Sequence, residues 1–527
     1  MKLETISLDE TGCFSSTFID YIEGKDTLKP FYGARPQIQS FKDQIANKDF
    51  STEKRQALNK VLVEQYQGIE VSEATEANIA GLLSNDTYTI TTGHQLNICT
   101  GPLYFLYKIV TVINICKRLK KEYPKNNFVP VYWMASEDHD LEEINHFFLF
   151  GEKLEWQTTQ TGAVGRMKNE EMEAIFEKLP EKGKFLENAY RSSECLADAV
   201  RCYVNELFGN EGLVIVDADS KELKALFSEV IKDDILSNQA NEIVETTSGK
   251  LNELGFKTQV FPREINFFLL QEGKRDRIIK SKDGYKAKGT DQNFSEKELT
   301  ELVGSEPEAF SPNVILRPLY QETILPNLAY IGGPAEVVYW LQLKGVFDHY
   351  QTPFPILMPR NFGLVIPKHI LRKLNKVGLS SLDLFDNIEN LKKNYLIKHS
   401  DQDMDLSQEV KQLSAVFETI KEKAVAFDKT LEGFVGAEQS KTLKGLDNIE
   451  KRIKKSEERN QEVAIQQIES VKNSLFPGGS LQERRDNFLN FYVNNPQLIE
   501  DLLNNFDPFN YSFHILKEEV TEIATAN

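Results

Sequence analysis

The chemistry available to this sequence is gathered in a few short clusters. Gly93-His94-Gln95 is followed closely by Thr100-Gly101-Pro102, and Glu137-Asp138-His139-Asp140 stands further along the chain. Three carboxylates around one imidazole are costly to assemble unless a cation or a proton-transfer task balances them. Asp138, His139 and Glu137 are therefore the candidate catalytic groups. Asp140 and Glu143 have the spacing of a capping box, a structural account of one of the acids. Pro102 suits the first position of a helix, whose free N–H groups would stabilise a carboxylate or phosphate. His94, Gln95, Thr100 and Gly101 are accordingly candidate substrate contacts. A further constellation holds Arg317, Gln321, Glu322, Tyr330, Gly332, Gly333 and Arg360. Gly-Gly-Pro at 332–334 repeats the helix-start device, and two arginines after apolar runs are candidate bidentate clamps for carboxylate or phosphate. Asp138, His139 and His146 match no standard metal-ligand spacing, so no protein-bound metal is expected.

These groups need elements to hold them. Residues 88–92 and 129–135 read as strands joined by an amphipathic helix, a βαβ unit. In parallel sheets ligands bind beyond the carboxyl ends of the strands, so both clusters would face one crevice. Residues 212–217 (GLVIVD), with Ser220 as a helix cap, resume the alternation, and NVILRP, NLAYIGGP and PFPILMPR supply later strands. The reading is an α/β core over 86–400, with insertions at about 150–210 and 255–312 and a helical lead-in at 1–85. Asp283-Gly284 in the second insertion marks a hairpin turn. Beyond Asp405, apolar residues from Leu406 through Phe427 to Phe434 keep a heptad seam. With a second helical run and a reversal at Gly433–Gly436, 401–475 reads as an antiparallel coiled coil, and 476–527 as a helical tail returning to the core.

Bulk composition sets limits. The chain has 527 residues, 40% of them hydrophobic, which suits a folded protein of several domains. A formal net charge of −18 argues against nucleic acid or an anionic membrane surface as partner. No run approaches the length of a bilayer span and no leader is apparent, so a cytoplasmic protein is expected. Five cysteines without CxxC spacing indicate neither a disulfide framework nor a zinc site.

TGHQLNICTGPLYFLYK, PVYWMASEDHDLEEINH, RPLYQETILPNLAYIGGPAEVVYW, PILMPR and FPGGSLQERRDNFLNFY, in this order, resemble the BshC family of bacillithiol biosynthesis. The resemblance spans nearly the whole chain. It implies a Rossmann-like, nucleotidyltransferase-type core with insertions and a C-terminal α-helical coiled coil that forms a homodimer. It also implies a ligase that adds L-cysteine to glucosaminyl-malate. At the first loop the family carries Gln or His where His94 stands and an apolar residue where Cys99 stands, which implies a hydrogen-bonding role for position 94. Asp138 or His139 would accept the proton of the attacking amine. If cysteine is activated as an adenylate, ATP and Mg²⁺ are required, by analogy with class I synthetases, although only GHQL stands where their HIGH motif would fall; no tightly bound cofactor is expected. Two rival readings use the same residues differently: an adenylating enzyme acting on another acid, and a non-enzymatic coiled-coil scaffold.

Overall fold

The computed structural model describes residues 1–282, 284–400 and 404–518. Its centre is a parallel sheet of β1 (Thr87–His94), β2 (Asn127–Met134), β3 (Val214–Asp217), β4 (Asn327–Gly332) and β5 (Ile356–Pro359). The spatial order is β5-β4-β1-β2-β3. Every residue of β1 and β4 is buried, as expected of strands covered on both faces, where burial leaves no polar alternation. Three of the four threonines of β1 find acceptors for their buried hydroxyls; the Thr87 hydroxyl has none among the described residues. The Thr89 and Thr91 hydroxyls reach Asn327 Oδ1 at 3.2 and 2.8 Å, and the Thr92 hydroxyl donates to the Ile331 carbonyl at 2.8 Å.

The connection from β1 to β2 is α1 (Tyr104–Glu122), which buries Ile109, Val112, Ile113 and Ile115. Val112 and Ile115 join Ile90, Ile331, Ile356 and Met358 in one apolar cluster. From β1 the chain steps outward to β2 and β3, then returns to the other side of β1 for β4 and β5. Strand order thus reverses between β1 and β4, the place where open α/β sheets open a crevice. Two short helices supply its walls, α3 (Arg317–Ile324) and α4 (Pro334–Trp340), and α2 (Lys221–Ala225) stands behind them, holding Glu137 through Lys224.

One expected strand is absent. NVILRP turns instead of extending, because the Asn313 side chain accepts the Ile315 N–H at 2.9 Å and Pro318 opens α3. The local strand is Phe310–Pro312, which pairs antiparallel with Phe267–Gln271. That segment belongs to a five-stranded antiparallel sheet within the second expected insertion. Asp283 of the expected hairpin turn lies outside the described residues; Ser281 pairs with Gly284 around it.

Residues 1–364 and 480–516 form one compact unit, and the described residues of 365–479 with 517–518 form another. The second unit contains α5 (Ser407–Phe427), α6 (Leu431–Asn460) and α7 (Glu462–Leu475). The reversal between α5 and α6 falls at Asp428, whose carboxylate accepts the Thr430 N–H at 2.8 Å, and not at Gly433–Gly436, which are helical. Lys421 pairs with Glu432 at 3.0 Å across the turn, consistent with an antiparallel return. No helix among the described residues is long and apolar enough to cross a membrane.

Candidate active site

A pocket of about 610 Å³ lies beyond the carboxyl ends of β1, β2 and β4. It is lined by residues from all three sequence clusters, among them His94, Gln95, Glu137, Asp138, Arg317 and Arg360, together with Tyr330 and Gly333.

The floor is an ion-paired network whose cation, Lys108, the sequence did not point to, although Glu336, Tyr330 and Gly333 belong to the third sequence cluster. Lys108, buried on α1, donates to the Gly93 carbonyl at 2.8 Å and pairs with Glu336 at 2.6 Å. Glu336 also accepts the Tyr330 hydroxyl at 2.8 Å and the Gly333 N–H at 2.7 Å. Burial would raise the Glu336 carboxyl, but Lys108 and these donors outweigh it and hold it below its ordinary value. The expected anion position at Gly333-Pro334 is therefore taken by the chain's own carboxylate. A lone lysine within the apolar run YFLYKIVTVINI is the one sequence signal that could have found it.

Arg317 lies within 5.9 Å of the Trp133 ring and 5.6 Å of the Tyr330 ring, with one Nη donating to Gln321 at 3.1 Å. Arg360 is 3% exposed. Its Nη2 pairs with Glu483 at 2.5 Å and its Nη1 donates to the Asn361 carbonyl at 2.9 Å. Its Nε, also buried, has no hydrogen-bond partner among the described residues. A buried donor of this kind costs free energy until an acceptor reaches it, which makes Arg360 an anion contact held ready.

The acids of the EDHD cluster divide. Glu137 pairs with Lys224 of α2, which is fully buried and also donates to the Phe310 carbonyl at 2.6 Å. Burial pushes the Glu137 carboxyl up to about 7, even against Lys224. Asp138 is different: burial opposes its charge, but the His139 N–H at 2.8 Å, Gln95 Nε2 at 2.9 Å and nearby Arg275 hold it well below the usual carboxylate range. It is a weak base and a firm hydrogen-bond acceptor. His139 does not line the pocket; its ring nitrogen meets Arg275 at 3.0 Å and its side chain is about half exposed. The expected Asp140–Glu143 capping box does not form: the Asp140 side chain caps nothing, and Glu143 accepts from Gln95 at 2.5 Å.

His94 is buried, and its Nδ1 lies 2.8 Å from the Gln95 carbonyl, which can only accept. That contact assigns the proton to Nδ1. Burial and Lys108 pull the imidazole down to about 3, so it is neutral at working pH, with Nε2 as an acceptor.

Five expected contacts are not brought to the pocket. Thr100 and Gly101 are buried in a left-handed loop, clamped by Asn487 Nδ2 to the Cys99 and Gly101 carbonyls at 2.7 Å each. The N–H of Leu103, at the head of α1, is taken by the Asp486 carbonyl at 2.8 Å, so this helix start offers no open anion site either. Gln321 and Glu322 are buried away from the pocket; Glu322 accepts from Asn327 at 2.6 Å and pairs with buried Lys48 at 3.5 Å. Gly332 supports the wall without lining it, since a Cβ there would meet Glu336 Cβ at 3.0 Å.

Comparison with known proteins agrees with this layout. The family model "Bacillithiol biosynthesis BshC, N-terminal Rossmann-like domain" matches residues 1–361, and that of the BshC "C-terminal coiled-coil domain" matches residues 363–518. The chain is 43% identical to a protein of Flavobacterium psychrophilum, covering 98% of this chain and 100% of the relative. It is 39% identical to one of Cytophaga hutchinsonii, covering 98% of each. At 28% identity it is similar to a protein of Bacillus cereus, over 94% of this chain and 95% of the relative. All three bear the name "Putative cysteine ligase BshC".

Proposed function

Because this chain belongs to the BshC family of bacillithiol biosynthesis, we propose that it is a ligase joining the carboxyl of L-cysteine to the amine of glucosaminyl-malate. The observation that carries the reading is the pocket at the sheet's switch point, which sets buried arginines beside a carboxyl that titrates near neutrality. Malate brings two carboxylates, and Arg317 and the free Nε–H of Arg360 are the cationic donors suited to them. His94 Nε2, as an acceptor, suits a sugar hydroxyl or the amine.

Amide formation needs an unprotonated amine and an activated acyl carbon. The nitrogen attacks the cysteine carboxyl carbon, its proton passes to Glu137, and one carboxyl oxygen departs with the activating group. Glu137 suits this step better than Asp138, which is too weak a base, or His139, which stands outside the pocket. ATP would supply the leaving group that a free carboxylate lacks. Among the described residues no three His, Cys, Asp or Glu side chains stand together as metal ligands, so Mg²⁺ would arrive with the nucleotide. We further propose that the protein is cytoplasmic and dimerises through its coiled coil, where Val416, Ile420, Phe427 and Phe434 are exposed in the single chain.

The test is direct. The purified protein, given glucosaminyl-malate, L-cysteine and ATP with Mg²⁺, is expected to release bacillithiol, read by mass spectrometry of the thiol-labelled product. No product under any nucleotide overturns the ligase reading. Amide formation with a different acid in place of cysteine would favour the rival adenylating enzyme.

A further inference from the structure

Beside the main pocket lies a second one of about 270 Å³, lined by Asn97, Glu143, His146, Phe147, Phe148 and Arg485. The two share Gln95, Tyr104 and Arg484. Its volume is below the roughly 300–1,000 Å³ of pockets that enclose drug-sized ligands, so its occupant is small.

Its polar groups are specific. Asn97 is 8% exposed, and its Nδ2 donates to the Glu143 carbonyl at 3.1 Å. Its Oδ1, however, is buried with no hydrogen-bond partner among the described residues. A buried unpaired acceptor is unfavourable unless a donor arrives. Arg485 lies 4.1 Å from the Phe148 ring centroid, which fixes one wall. Arg484 is exposed and lines both pockets. Unlike Arg360 and Arg166, it enters no ion pair among the described residues. The pocket thus offers an unpaired acceptor, a cation on the wall it shares with the main pocket, and two phenylalanines in its lining.

We propose that this side pocket is the subsite for the amino-acid substrate, with the L-cysteine carboxylate on Arg484, its ammonium donating to Asn97 Oδ1, and its thiol toward Phe147 and Phe148. This rests on the ligase reading above. It adds where the second substrate sits and why its carboxyl faces the main pocket: Arg484 stands at the opening through which an amine held there attacks. The two charges of a free α-amino acid are both required, because neither group alone satisfies both Asn97 and Arg484.

Calorimetric titration of the full-length protein with L-cysteine, under reducing conditions and with and without L-malate, tests the assignment. The wild type is expected to bind L-cysteine at least tenfold more tightly than cysteamine, which lacks the carboxylate, or 3-mercaptopropionate, which lacks the ammonium. Arg484→Ala, at an exposed position, is expected to weaken L-cysteine binding at least tenfold, and Arg484→Lys to restore part of it. Equal binding by wild type and Arg484→Ala, equal binding of the three thiols, or no L-cysteine binding under either condition overturns the subsite. The ligase reading is judged separately by product formation: bacillithiol made with an unchanged KM for cysteine in Arg484→Ala leaves the ligase standing and removes the subsite.

Discussion

At the residue scale the decisive contrast is between two neighbouring carboxyls. Glu137 and Asp138 follow the same strand, yet one titrates near 7 and the other stays ionised, because burial, joined by the nearby Asp219 charge, outweighs Lys224 and Arg275 at Glu137, while Asp138 collects several donors. The rate should follow Glu137. A base must be ionised, so kcat/KM is expected to rise as pH climbs through about 7 and to level above it. Glu137→Gln should lose roughly 10²–10⁴-fold in kcat and the ascending limb with it, measured as a pH–rate profile. Asp138→Asn should keep the limb, since Asp138 does not titrate in that range. The same shift has a stability consequence of opposite sense. A carboxyl whose folded-state value lies above its unfolded value favours the protonated fold, a contribution present below about 4.3 and lost as pH rises through 7. His94 adds no limb, since its imidazole is neutral throughout. Sequence spacing named the acids because unbalanced charge beside an apolar strand is visible in one dimension. Lys224 could not be named, because KELKALF looks like any charged helix turn and its partner is remote in sequence.

At the scale of elements, two loops carry more information than the helices they join. Gly101 has φ +60° and ψ −139°, a conformation that side chains resist, and a Cβ there would lie 2.5 Å from Asn97 Cβ. Gly101→Ala is expected to cost about 1–3 kcal/mol of strain, read as a lowered midpoint in urea. Because Asn97 must shift to make room, L-cysteine affinity should fall as well. The sequence reading made this loop a substrate contact; the structure puts His94 and Gln95 on the pocket, whereas Thr100 and Gly101 are turned inward, where they position α1 and Asn97. In the coiled coil the apolar period was legible over α5, yet the seam was read through the turn, because Leu431 and Phe434 keep heptad spacing across the Asp428 reversal. Period alone does not register where a backbone doubles back. Phe427 is 91% exposed and Phe434 65%. If a second copy covers them, Phe434→Glu should raise the dimer dissociation constant more than about tenfold, seen by light scattering across a dilution series. An unchanged dimer would remove this face from the interface.

At the scale of the whole molecule, the site is finished by residues that the chain adds near its end. Glu483 holds Arg360, Arg484 stands between the two pockets, the Asp486 carbonyl caps Leu103 and Asn487 clamps the carbonyls around Gly101. Asn487 reaches across 388 positions to do so. Nothing local in LQERRDNF announces this; the parallel strands were legible from their apolar runs, whereas closure of the crevice is a long-range event that only the folded chain reveals. Contacts across so long a loop carry the closure entropy of the chain between them, so they depend on the tail being present and packed. A chain ending at Gly479 is therefore expected to keep helical far-UV signal but to lose ordered near-UV signal from Tyr104 and Phe362, whose rings lie 5.2 and 4.5 Å from Arg360, along with detectable L-malate binding. Asn487→Ala, which leaves two buried carbonyls unpaired, should show the same defect in weaker form, about 1–3 kcal/mol in denaturant. If the shortened chain binds L-malate as the full chain does, the tail does not complete the site, and Arg360 must be held by some group other than Glu483.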